Sequence, residues 1–120
     1  MSDERLEIYL TRMAAAAETA IGYVCGMERD AFLVDQRTQD AVVANFMAIG
    51  ECAIKLMERH PDFVVEHPEI AWKDIRNMRN RIAHQYFQLD VGTIWLTVNE
   101  VLPDLLGKLH ALRHWRAQGE

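Results

Sequence analysis

The chain has 120 residues, half of them apolar, with only 3 prolines and 6 glycines. This length and composition suit one domain with a real core and exclude a disordered or linker-rich chain. The formal net charge of -5 excludes a broadly basic nucleic-acid coat but leaves room for a local basic cleft.

The N-terminus, MSDERLEIYL, is charged and lacks the apolar core of a signal peptide, and no apolar run approaches a membrane span. A cytoplasmic protein without membrane contact is expected. Residues 4–25 predict a long helix, because Leu6, Leu10, Met13, Ala17, Ala20 and Val24 recur at alternating spacings of four and three. Ser2 is its candidate cap, Asp3 and Glu4 suit its N-terminal dipole, and Gly26 is its candidate stop. Residues 28–34 predict a short helical turn. A second long helix is predicted over 36–59, with Val42, Asn45, Phe46, Ile49, Ala53 and Leu56 on one face and Lys55 and Arg59 near its C-terminus.

The tract HPDFVVEHP, residues 60–68, reads as a connection with a single turn. Residues 69–89 predict a helix interrupted near Asn77, which tolerates the left-handed conformation that ends helices. Asp90 then caps a last helix over 91–116, with Ile94, Val98, Val101, Leu105, Leu109 and Leu112 as its apolar stripe. Pro103 falls inside it and removes a hydrogen bond to the carbonyl of Asn99, which predicts a kink. No segment alternates with the period of a strand. An all-α, up-and-down helical bundle follows. Cys25 and Cys52 sit within apolar helical patterns and read as reduced core residues with no metal-ligand spacing.

The chemically unusual stretch is WKDIRNMRNRIAHQYF, residues 72–87. It sets Lys73, Arg76, Arg79 and Arg81 against a single acid, Asp74, and adds Asn77, Asn80, His84 and Tyr86. Charged residues on an amphipathic helix usually form a solvated face, and a lone histidine is usually structural. The residue types nevertheless suit phosphodiester chemistry. Arginine presents a planar fork to phosphate oxygens and stays charged, and histidine exchanges protons near neutral pH. A helix restarting after Asn77 would also put Arg79 in a first turn, where free N–H groups favour an anion. Along a regular helix, five residues rotate about 140°, so Arg79 and His84 do not stack. Asn80 and His84 share a face, as do Arg79 and Tyr86. A site using both Arg79 and His84 needs a bend, a groove edge or a second copy of the chain.

The segment Arg79-Asn80-Arg81-Ile82-Ala83-His84-Gln85-Tyr86 resembles the Arg-x4-His-x-Tyr motif of the HepT branch of HEPN proteins. Thr38-Gln39-Asp40-Ala41-Val42 and Ile49-Gly50-Glu51-Cys52-Ala53 resemble that family's central helix. Pro68-Glu69-Ile70-Ala71-Trp72, Asn77-Met78-Arg79-Asn80, Trp95-x-x-Val98 and Leu102-Pro103 extend the likeness in order along the chain. Ala71 stands where the family usually has proline, and Asn77 where it usually has glycine.

The resemblance implies a single HEPN helical domain over 1–120 and a homodimer with the motifs at its interface. It implies a metal-independent endoribonuclease toxin without a cofactor, cutting RNA through attack of the 2′-OH to leave a 2′,3′-cyclic phosphate. His84 would be the general acid and base, Arg79 would hold the phosphate, and Asn80 would orient the site. Lys73, Arg76 and Arg81 are candidates for further RNA contacts, and transfer RNA and messenger RNA are both open as substrates. The family's antitoxin is a small nucleotidyltransferase, MntA, which transfers AMP to the motif's tyrosine, here Tyr86. The alternative is a non-catalytic helical module that binds a nucleotide or a nucleotidyltransferase, which the acidic net charge favours.

Other residues carry weaker signals. His110 and His114 are four apart on a helix, a zinc-capable spacing with no further ligand in that turn. His60 and His67 belong to no recognisable constellation. Glu51 is either an acid of the site or a core-edge partner of an arginine, and Asp40 either a surface acid or part of the dimer cleft. Trp72 and Trp95 read as packing anchors rather than base-stacking platforms.

Overall fold

The apolar stripe read along the first helix becomes its buried face. In a computed structural model, which describes the backbone of residues 2–117 and the side chains of residues 5–86 and 88–112, α1 runs Ser2–Val24. Leu10, Met13, Ala17 and Ala20 on it are fully buried, with Leu6 and Val24 close behind. Gly26 ends the helix with φ of 79°, a conformation that costs glycine little. The expected capping by Ser2, Asp3 and Glu4, and the His114 partner of His110, lie outside the described side chains.

A short helix, α2 (Arg29–Leu33), follows. Five residues cannot hold a helix alone, so packing must do it. Phe32 is completely buried and its ring lies 5.2 Å from that of Trp95, a burial that contributes on the order of 2 kcal/mol. Asp35 then caps α3 (Gln36–Arg59), its carboxylate accepting from the Thr38 N–H at 3.1 Å and the Thr38 hydroxyl at 2.7 Å. Val42, Phe46, Ile49, Ala53 and Leu56 are buried as expected, while Asn45 is half-buried and bonds back to the Ala41 carbonyl.

The Pro-flanked tract folds as α4 (Pro61–Glu66), with Pro61 at the first helical position and Phe63 buried. Trp72 opens α5 (Trp72–Gln85). It is buried, packs edge-on to Phe63, and donates its indole N–H to the His67 carbonyl at 2.9 Å. Trp72 and Trp95 are both engaged with neighbouring rings, as anchors should be.

Three expectations are corrected. The helix over residues 72–85 has no interruption at Asn77, and no non-glycine residue among the described ones has positive φ. Trp72, Ile75, Met78 and Ile82 form one unbroken face toward the core, and that burial overrides a weak local preference. Arg79 is therefore mid-helix and gains nothing from free N–H groups. Cys52 is buried, but Cys25 is exposed, because it falls in the turn after α1 rather than on its inner face.

The third correction concerns the last helix. Asp90 stands at its N-cap and accepts from the Thr93 hydroxyl at 2.7 Å, and α6 (Val91–Leu96) passes through a π turn (Thr97–Val101) into α7 (Leu102–Ala117). The Leu102 N–H reaches the Thr97 carbonyl, five residues back. The disturbance expected from Pro103 takes this form, a widened turn on its N-terminal side. The wide turn puts Leu102 on the core face and leaves Val101, read as core, 55% exposed. The stripe continues through Leu105, Leu109 and Leu112.

α1 packs on α3 and α7, and α3 packs on α5. The Arg59 guanidinium at the end of α3 donates to the Tyr9 hydroxyl near the start of α1 at 3.1 Å, so these helices run antiparallel. The described residues form an all-α bundle without strands.

Candidate active site

The face of α3 that meets α5 carries a glycine in mid-helix. Glycine there costs about 1 kcal/mol against alanine, so a packing reason is expected. The reason is Arg79: a Cβ built on Gly50 would stand 2.3 Å from the Arg79 Cβ and 2.7 Å from its Cγ. The missing side chain lets α5 approach α3 at this point and lays the arginine stem across α3.

The next residue, Glu51, fixes the head of that side chain. Arg79 donates from Nε to Glu51 Oε2 at 3.0 Å and from Nη2 to the same oxygen at 2.7 Å. Arg79 Nη1 donates to Asn80 Oδ1 at 3.0 Å. The pair is open to solvent, with side-chain exposures of 28% and 48%, so it adds at most about 1 kcal/mol of stability. Its importance is geometric. Of the five N–H donors of a guanidinium, three are occupied and two are left to meet an anion.

Asn80 links this arrangement to the exposed side of α5. At about 100° per residue, Lys73, Asn77, Asn80 and His84 fall on one stripe turned away from α3. His84 lies in the last turn, is exposed, and makes no hydrogen bond or ion pair among the described residues. The α5 helix therefore brings Arg79 together with Asn80 and Glu51 but leaves His84 on the adjoining face, as the 140° rotation requires. Arg76 is half-buried one turn before Arg79, and Lys73 is exposed. Arg81 points elsewhere and borders a small cavity lined by Val43, Leu89 and Thr93. None of these three cations has an ion-pair partner among the described residues.

The helix breaks at Gln85, whose φ and ψ are -137° and 38°, and residues Tyr86–Gln88 form a 3-10 turn. Tyr86 donates its hydroxyl to Asp40 Oδ1 across a short contact. The Gln36 amide donates to the same oxygen at 2.8 Å. The hydrogen bond to Asp40 holds the phenol above its ordinary pKa, with partial burial and the carboxylate charge acting in the same direction. Tyr86 therefore keeps its proton at neutral pH.

Both acids left undecided by the sequence thus find partners. Asp40 and Glu51 are eleven residues apart on α3, three turns to within about 20°, so they share a face. Glu51 holds the start of the motif and Asp40 its end. Gly50 is the residue that sequence reasoning passed over, and its signal was a glycine within a long amphipathic helix. No group of three or more His, Cys, Asp or Glu residues among the described ones is placed to hold a metal ion. His110 instead lies 3.3 Å from Glu18 on α1, and His67 lies 3.1 Å from Glu69. No helix of the described residues is long and apolar enough to cross a membrane. An apolar cavity of about 170 Å³ between α5 and α7 is lined by Ile70, Met78 and Leu102, among others, but not by Arg79 or His84.

An all-helical bundle presenting a clamped arginine, with an exposed histidine on the adjoining face of the same helix, has the makings of a phosphodiester-cleaving enzyme. The chain belongs to the HepT-like ribonuclease family, whose model, Ribonuclease HepT-like, matches residues 13–112. It is 37% identical over 105 residues to a protein named Probable ribonuclease HepT from Thermococcus cleftensis, covering 88% of this chain and 93% of the relative. It is 34% identical over 86 residues to a candidate RNase of Methanocaldococcus jannaschii, covering 71% of this chain and 69% of the relative. A candidate RNase of Caldanaerobacter subterraneus subsp. tengcongensis is 31% identical over 97 residues, or 81% of this chain and 84% of the relative. No solved structure matches significantly.

Proposed function

We propose that the chain is an endoribonuclease toxin, a single HEPN domain over 1–120 acting in the cytoplasm as a homodimer. The observation that carries this reading is the clamping of Arg79 by Glu51 and Asn80, which leaves two N–H groups for a phosphate on a helix whose adjoining face carries the exposed His84. In the reaction, the 2′-oxygen of RNA attacks the adjacent phosphorus, the bond to the 5′-oxygen breaks, and a 2′,3′-cyclic phosphate is left. Arg79 neutralises charge on the phosphate oxygens, and His84 carries the proton between the attacking and leaving oxygens. Asn80 keeps the guanidinium turned toward the His84 face.

Cleavage is expected to persist in EDTA and to leave cyclic phosphate ends, because arginine and histidine supply the charge and proton chemistry here. End-group analysis of the products checks this. A 5′-phosphate product that appears only with divalent metal would overturn the mechanism.

The separation of Arg79 from His84 favours a site completed by a second copy, with residues 76–87 of both chains lining one cleft. Light scattering on the purified protein should give twice the chain mass. A monomer that cuts RNA at full rate at every concentration would refute this arrangement.

Regulation is proposed at Tyr86. A MntA-type nucleotidyltransferase would transfer AMP to its hydroxyl, placing a bulky anion beside the site. The added phosphate competes for Arg79 and the adenosine obstructs RNA entry.

A further inference from the structure

We infer that Asp40 is the proton acceptor for group transfer onto Tyr86, so that the acceptor protein itself supplies the base. This rests on the reading that Tyr86 receives AMP, and it deepens that reading by naming a second residue in the step.

The chain's 3 tyrosines differ in what their hydroxyls meet. Tyr9 is buried, and its hydroxyl accepts from the Arg59 guanidinium. Tyr23 is more exposed than Tyr86, 49% against 37%, yet has no carboxylate acceptor among the described residues. Tyr86 alone of the three combines exposure with a hydroxyl that donates to a carboxylate. That carboxylate is itself oriented: Gln36, one turn earlier on α3, donates to the same Oδ1. If exposure alone chose the acceptor, Tyr23 would be modified first. If a built-in base chooses it, Tyr86 is.

The Tyr86 Oη attacks the α-phosphorus of a nucleoside triphosphate held by the transferase, and the Oη–P bond forms. The bond from the α-phosphorus to the oxygen bridging to the β-phosphate breaks, and pyrophosphate leaves with the electron pair. The phenolic proton passes to Asp40 Oδ1. Before attack the hydrogen bond keeps that proton on Tyr86. As Oη–P bonding develops, the phenolic oxygen becomes far more acidic than a carboxylic acid, and the proton moves without a free tyrosinate having formed.

The test uses the full chain with a MntA-type nucleotidyltransferase and ATP, followed by intact-mass and peptide mass spectrometry. Asp40→Asn keeps an oxygen that accepts the hydrogen bond but removes the base. We expect AMP transfer to slow by about 10²-fold or more, with melting temperature unchanged. In wild type, the rate should change little with pH around neutrality. In Asp40→Asn it should climb about tenfold per pH unit, because transfer then requires a tyrosine that is already ionised. Asp40→Glu, which keeps a carboxylate, should recover part of the loss. Asp40→Asn modified at the wild-type rate, while wild type carries AMP on Tyr86, overturns the inference alone. Wild type carrying AMP on Tyr23 and not on Tyr86, or carrying none, overturns the regulatory reading and the inference with it.

Discussion

His84→Ala should abolish RNA cleavage and leave the bundle intact. The imidazole is exposed at the end of α5 and contributes no hydrogen bond or ion pair among the described residues, so its loss falls among surface changes worth less than about 0.5 kcal/mol. Removing a proton-transfer group costs about 10²–10⁴ in rate. The two magnitudes separate cleanly: circular dichroism and thermal melting should match wild type while single-turnover cleavage collapses. Wild-type cleavage by a folded, purified variant would remove His84 from the mechanism.

Gly50→Ala should cost activity out of proportion to stability. The added methyl would stand 2.3 Å from the Arg79 Cβ, an atom fixed to the α5 backbone, so α5 must shift rather than a side-chain tip. Overpacking of this kind costs about 1–3 kcal/mol. Alanine in a helix recovers about 1 kcal/mol relative to glycine. The net loss of stability is therefore only about 0–2 kcal/mol, and the protein should remain folded. The guanidinium, however, is displaced from an oxygen it now meets at 2.7 Å and 3.0 Å. Misplacement of a catalytic group by about 1 Å can cost on the order of 10² in rate. Urea melts beside cleavage rates check the contrast. A variant that melts and cuts like wild type would show that Arg79 does not depend on this contact.

The long helices were legible because their apolar residues recur at helical spacing over many turns. Leu10 to Val24 and Val42 to Leu56 needed no other information. Errors arose where spacing was locally ambiguous. Val101 and Leu102 are adjacent apolar residues, and only the widened turn decides which faces the core. Asn77 carried a turn propensity too weak to compete with the row from Trp72 to Ile82. At the site, Arg79 and His84 were visible as residue types suited to phosphate chemistry, and Asn80 and Tyr86 through the family resemblance. Asp40 and Glu51 were visible as acids with two readings each, but not which residue each would meet, because those partners lie 46 and 28 residues away and only packing of α3 on α5 joins them.

That packing gives α3 the part of a gauge. Its two carboxylates stand about 16 Å apart along the axis, at 1.5 Å per residue, and each grips one end of the same short motif. The interval between the guanidinium and the phenol is thus set by the pitch of a rigid rod rather than by the loop that carries Tyr86. A tilt of α3 would carry both anchors with it, so the guanidinium and the phenol would keep their spacing.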